Sequence, residues 1–220
     1  MRPPVRSSRL VAGLIYATLT SAVVSSLGML LVPTISREFD VALSSAQWML
    51  TINLLVGAVA TPVMGRLSDG PHKRRLLLVS LAVIFAGSVA AALAPNFAVF
   101  LVGRAMQGLT YGIAPVTIAI ARRYLSESRA KPAISSLSVT VATGIGVGYP
   151  LTGILASVLG FRAAFWFSAI FVVSASHSCS WLLKSAGPMK VRPGRNDVSK
   201  YPLARSTRPL ASGSAGRHTI

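Results

Sequence analysis

The sequence predicts an all-α, polytopic membrane protein with six transmembrane helices, and three observations point there. Hydrophobic residues make up 52% of the chain and charged residues only 12%, with a mean hydropathy of +0.62; an ordinary soluble domain carries about 25% charge. The apolar residues gather into runs close to the ~20 residues that a helix needs to cross about 30 Å of hydrocarbon. The basic residues fall between those runs, on alternate connections. The runs lack the period-2 alternation of a membrane β-barrel.

The first span covers 10–32, follows Arg2, Arg6 and Arg9, and stops at Pro33. Its basic start resembles that of a signal peptide, but the apolar run is too long and further runs follow, so it reads as a retained helix. The second span, 47–64, opens with Gln47-Trp48, where an indole serves as an interfacial anchor. The third, 76–94, ends before Pro95; the fourth covers 97–121, the fifth 133–159 and the sixth 163–183. These spans make 1–183 a six-helix bundle. Residues 184–220 are rich in Ser, Pro, Gly, Arg and Lys, hold one acid, Asp197, and show no apolar periodicity. They read as a disordered, basic cytoplasmic tail. The alternatives are a segment that binds anionic lipid or the product of a truncation or frameshift.

The formal charge is +17, against five acids: Glu38, Asp40, Asp69, Glu127 and Asp197. In a soluble chain that imbalance would suggest nucleic acid; here it serves membrane orientation, and no nucleic-acid partner is expected. Arg66, Lys73, Arg74 and Arg75 separate spans two and three, and Arg122, Arg123, Arg129 and Lys131 separate spans four and five. Basic loops stay inside, so both termini and these two loops are expected in the cytoplasm of a cell that carries the protein in its plasma membrane. The single cysteine, Cys179, excludes an internal disulfide. His177 and Cys179 stand without partners at metal-ligand spacing, and no nucleophile–base, zinc or phosphate-loop motif occurs. Neither enzyme activity, nor a cofactor, nor a metal is expected.

Three segments carry more than topology. Between spans two and three the chain reads Gly65-Arg-Leu-Ser-Asp69-Gly-Pro-His-Lys73-Arg74-Arg75. Gly65 permits a close helix approach, Asp69 can cap a helix or pair with an Arg, and the basic run anchors the third span at anionic headgroups. A plain positive-inside loop explains the basic run but not the Gly-x-Leu-Ser-Asp ahead of it. In span four, Arg104, Gln107 and Gly108 lie in an apolar helix, where an Arg is a functional hypothesis by default. Arg104, Gly108 and Gly112 share one face, and the two glycines permit close packing. The bland alternative is an Arg snorkelling to the interface. In span five, Gly144, Gly148, Pro150 and Gly153 combine tight packing with a proline bend; a packing face without a transport role would look the same.

These residues resemble the major facilitator superfamily. Gly65, Leu67, Ser68, Asp69 and the basic run are similar to that family's loop between helices 2 and 3. Gly70 and His72 depart from it, where a basic residue and a Gly are usual. Arg104, Gln107 and Gly108 are similar to its Arg-x-x-Gln-Gly motif in helix 4. Pro150 and Gly153 fit the helix 5 motif of its antiporters, Gly-Pro-x-x-Gly-Gly, while Tyr149 and Ile154 replace two of its glycines. Gln47-Trp48 resembles the multidrug branch with fourteen helices, although no Asp occurs in the first span. The resemblance implies that the chain forms the N-terminal half of a drug:proton antiporter, with Asp69 in a conformational latch and Arg104 in proton coupling. It also implies alternating access, small lipophilic substrates and protons as partners beside the bilayer, and a second six-helix half that this chain lacks. The alternative is a non-transporting remnant or a regulatory membrane partner.

Overall fold

The structure, a computed structural model, describes residues 5–70 and 72–185. Every regular element among them is helical. The expected tail beyond Ser185 lies outside the described residues. Six stretches are long and apolar enough to cross a membrane: Leu10–Glu38, Leu43–Leu67, Lys73–Ala92, Phe97–Tyr124, Ser128–Leu159 and Phe161–Trp181.

The first span is broken. Helix α1 (Val5–Ser26) gives way at Leu27 and Gly28 to a 3₁₀ turn (Met29–Leu31) and then to α2 (Val32–Glu38). Ser25 and Ser26 return their hydroxyls to the carbonyls of Ala22 and Val23, both at 2.8 Å or less, an arrangement that loosens the last helical turn. The expected stop at Pro33 is displaced. Pro33 sits in the first turn of α2, where its missing N–H would have had no partner, so the chain stays helical to Glu38.

A short α3 (Leu43–Ala46) leads into α4 (Trp48–Leu67), and α5 (Lys73–Ala92) follows the charged loop. Span four is also interrupted: α6 (Phe97–Gln107), a 3₁₀ segment (Gly108–Gly112) and α7 (Ile113–Tyr124). Asn96 starts α6 by accepting the Val99 amide at 2.9 Å, as an N-cap side chain should. Helix α8 (Glu127–Leu159) runs unbroken through Pro132 and Pro150. Gly160 turns the chain into α9 (Phe161–Ser185) with φ of +83°, a region open to glycine and strained for other residues.

Span one is the axis of the bundle, 67% buried over its apolar window, whereas spans two and five are 22% and 17% buried. Helix α1 packs against α8, α9 and α7; α5 packs against α6 and α9; α4 packs against span four. Between apolar helices in lipid, close packing replaces the hydrophobic drive. A Cβ on Gly103 would lie 2.7 Å from both the Ala91 nitrogen and the Gly87 carbonyl oxygen, so spans three and four touch backbone to backbone. One end of the bundle is closed by rings: Phe100 lies 5.5 Å from Phe39, 6.3 Å from Phe161 and 5.4 Å from Phe165. Across the core, Tyr16 shares a 2.7 Å hydrogen bond with Ser174, and Thr18 donates to Thr117 at 3.2 Å.

Candidate functional site

Arg104 is 1% exposed, so it does not snorkel. Its Nη1 donates to Gln107 Oε1 at 2.6 Å, its Nε donates to the Met49 carbonyl at 3.4 Å, and its guanidinium lies 5.8 Å from the centre of the Phe165 ring. A Cβ on Gly28 would come within 2.8 Å of Arg104 Nη2. The glycine at the break of span one thus makes room for the cation, and places it beside the C-terminal end of α1, the negative end of that helix dipole.

The network extends from there. Gln107 Nε2 donates to Ser88 Oγ at 2.9 Å; Ser88 Oγ contacts the Ile84 carbonyl and Ser168 Oγ, each at 2.9 Å. Ser88 has one hydroxyl proton. If it goes to the Ile84 carbonyl, Ser168 must be the donor to Ser88. Arg104, Gln107, Ser88 and Ser168 then form a buried polar chain through spans four, three and six, tied to span two through Met49. No carboxylate takes part. A buried guanidinium satisfied this way is a fixed charge in a low dielectric, and its field reaches far.

Gly108 and Gly112 fit span four against span two. A Cβ on Gly108 would lie 2.7 Å from the Asn53 carbonyl oxygen and 2.8 Å from Val56 Cβ, and one on Gly112 would run into the Met64 side chain. Asn53 itself is not singled out by any sequence motif. It is 2% exposed, and neither its Oδ1 nor its Nδ2 has a hydrogen-bond partner among the described residues. A lone Asn within an apolar run is the signal that could have found it.

The charged loop is arranged differently from its expected packing. Gly65 faces open space, with nothing within 4 Å of where a Cβ would sit, so no helix approaches it closely. Asp69 is exposed and makes no ion pair among the described residues. Lys73 is only 5% exposed, whereas Arg75 is exposed. Arg74 donates to the Ser180 carbonyl at 3.4 Å and so ties the loop to the end of span six.

In span five, Gly144 and Gly148 are the contact residues. A Cβ on Gly144 would lie 2.7 Å from Ala22 Cβ, and one on Gly148 would meet Ser26, with Ser26 Cβ at 3.0 Å. Gly153 is looser, with Leu30 at 3.3 Å. Pro150 is exposed on the opposite side. Thus the structure brings Arg104, Gln107 and Gly108 into one site and leaves the 65–75 loop and the span-five residues as separate elements around it.

Comparison with known proteins agrees with this architecture. The sequence profile described as Major Facilitator Superfamily matches residues 13–216. A chloramphenicol efflux pump of Mycobacterium tuberculosis (strain ATCC 25618 / H37Rv) is 32% identical over 181 residues, covering 82% of this chain and 42% of that protein. The lincomycin resistance protein LmrB of Listeria monocytogenes serovar 1/2a is 27% identical over 177 residues, covering 80% of this chain and 36% of that protein. The chain therefore spans less than half the length of these curated relatives. The crystal structure of the human organic anion transporter MFSD10 (TETRAN) superposes with a TM-score of 0.64 at 20% identity, over 89% of this chain and 53% of that one, a likeness of fold. A profile that runs along most of the chain, with six apolar spans folded as in that transporter, establishes that the chain belongs to the Major Facilitator Superfamily of membrane transporters.

Proposed function

We propose that the chain is the N-terminal six-helix half of a proton-coupled exporter of small lipophilic compounds, which works by alternating access against a second six-helix half. The observation that carries this reading is Arg104, a fully buried cation with no carboxylate partner among the described residues, held by a polar chain that crosses the bundle. A fixed positive charge disfavours any second cation in the same low-dielectric cavity. The same field lowers the proton affinity of a carboxylate brought near it, so a protonatable acid supplied by the second half would release its proton more readily there. The named activities of the chloramphenicol and lincomycin relatives favour export of lipophilic drugs.

In this reading Asp69 and the basic residues after it form the latch, with the exposed Asp69 carboxylate, which makes no ion pair among the described residues, as the group that engages the second half. Gly144 and Gly148 let span five slide closely on span one, with Pro150 as the point of bending. The basic loops support a plasma-membrane orientation with both termini in the cytoplasm. The test is substrate-driven proton flux in proteoliposomes. The chain alone should give none; a co-reconstituted second half should restore it, and Arg104→Ala in that system should abolish it. Full flux with Arg104→Ala would remove the coupling role, and no flux with any second half, despite normal insertion, would leave a non-transporting remnant.

A further inference from the structure

A second site lies at the opposite end of span four from the phenylalanine cluster. The end of α4, the start of α5 and the last turns of α7 line an open pocket of about 460 Å³, whose polar lining is Ser68, Asp69, Lys73, Arg122 and Arg123. Lys73 is 5% exposed, yet among the described residues its ammonium has no hydrogen bond or ion pair. The stem is buried while the ammonium opens onto the pocket, where other positive groups face it. Arg123 repels it and Asp69 attracts it. Lys73 also opens α5, and no side chain caps that helix start, so the positive end of the helix dipole adds to the same field. Ser68 offers no relief, since its hydroxyl is committed to the Gly65 carbonyl at 2.6 Å.

Three cations and a helix start therefore converge on a cavity that supplies one exposed carboxylate in return. The missing component is an anion of one to two charges with several acceptor oxygens, which guanidinium forks and a lysine point charge hold well. We propose that this pocket binds a phosphate group, with Lys73 as its buried ligand and Arg122 and Arg123 as its outer clamp. Pro115, Ile118 and Ala119 complete the wall, and this apolar side fits the glycerol and ester region of a phospholipid better than a hydrated ion. The site does not depend on which way the protein faces or on what it transports.

Native mass spectrometry of the full chain in a neutral detergent tests this, with phosphatidylglycerol, inorganic phosphate and phosphatidylcholine as probes. Phosphatidylglycerol should bind at least tenfold more tightly than phosphatidylcholine, and Lys73→Met should lose that preference. Competition by inorganic phosphate would mean that the phosphate group alone suffices; its absence would identify the lipid headgroup as the ligand. Joint replacement of Arg122 and Arg123 by Gln, close to the surface, should weaken binding without unfolding the bundle, and Arg66→Gln, outside the pocket, should not. Added anion should raise the melting temperature of the wild type and leave that of Lys73→Met unchanged. Equal binding by wild type and Lys73→Met, or an equal loss in Arg66→Gln, would overturn the proposal.

Discussion

Arg104 keeps its charge in the core without an acid, so its stability rests on neutral acceptors, and these are unequal. The 2.6 Å bond to Gln107 is charge-assisted and belongs to the strong class; the Ser88–Ser168 contact at 2.9 Å joins two hydroxyls. Gln107→Leu takes away the main acceptor and leaves a buried cation exposed to apolar surroundings, which should cost about 3 kcal/mol or more. Ser168→Ala removes one neutral bond, worth about 1 kcal/mol. Reversible unfolding in mixed micelles should rank them in that order, and equal losses would mean that Gln107 does not support the charge. The sequence makes Arg104, Gln107 and Gly108 legible because a cation and an amide stand out in an apolar helix. It does not reveal the Met49 carbonyl, the Phe165 ring or the space above Gly28, because backbone acceptors and ring faces become partners only once helices from distant segments meet. Asn53 stands out in the sequence as a lone amide in an apolar run, but its burial without a partner shows only in the folded bundle.

At the scale of elements, glycines of the same type do opposite work. Gly108 faces backbone, with the Asn53 carbonyl oxygen 2.7 Å from where a Cβ would sit, and backbone cannot rotate aside. Gly108→Ala should push span four off span two and destabilise the bundle by about 1–3 kcal/mol, the usual range for overpacking. Gly65 lies in the last turn of α4 with nothing within 4 Å. Gly65→Ala should be neutral or stabilising by up to about 1 kcal/mol, through helix propensity. Thermal unfolding of the two variants side by side checks the signs; a destabilising Gly65→Ala would show that the loop needs conformations closed to alanine. The six spans themselves are legible from run length and charge placement, within a few residues at most ends. The two interruptions are not. Apolar composition continues through Leu27–Leu31 and Gly108–Gly112, and what breaks those helices is local: hydroxyls returning to carbonyls in span one, and close contact with span two in span four. At Pro150 the helical run of α8 continues on both sides.

For the whole molecule, the informative asymmetry is between spans two and five, 22% and 17% buried, and the central span one at 67%. An exposed helix face can meet lipid, water or another protein, and composition separates these cases. The exposed side of span six bears Trp166, Ile170 and Val173, which suit acyl chains. The exposed side of span five is mixed: Val139, Val147 and Ile154 stand among Ser135, Ser136, Ala142, Thr143, Gly146 and Pro150, and its small and hydroxyl groups are where a wet cleft or a close helix contact would form. In a Cys179→Ser background, which removes the sole native thiol, Thr143→Cys in a bilayer should react with a water-soluble maleimide at least tenfold faster than Ile170→Cys, because the reactive thiolate needs water. Supplying a second six-helix half should slow Thr143→Cys and leave Ile170→Cys unchanged, since only the first position lies on the face that a partner would cover. Equal, slow labelling at both positions would assign span five to the lipid boundary, and the second half would then have to dock elsewhere.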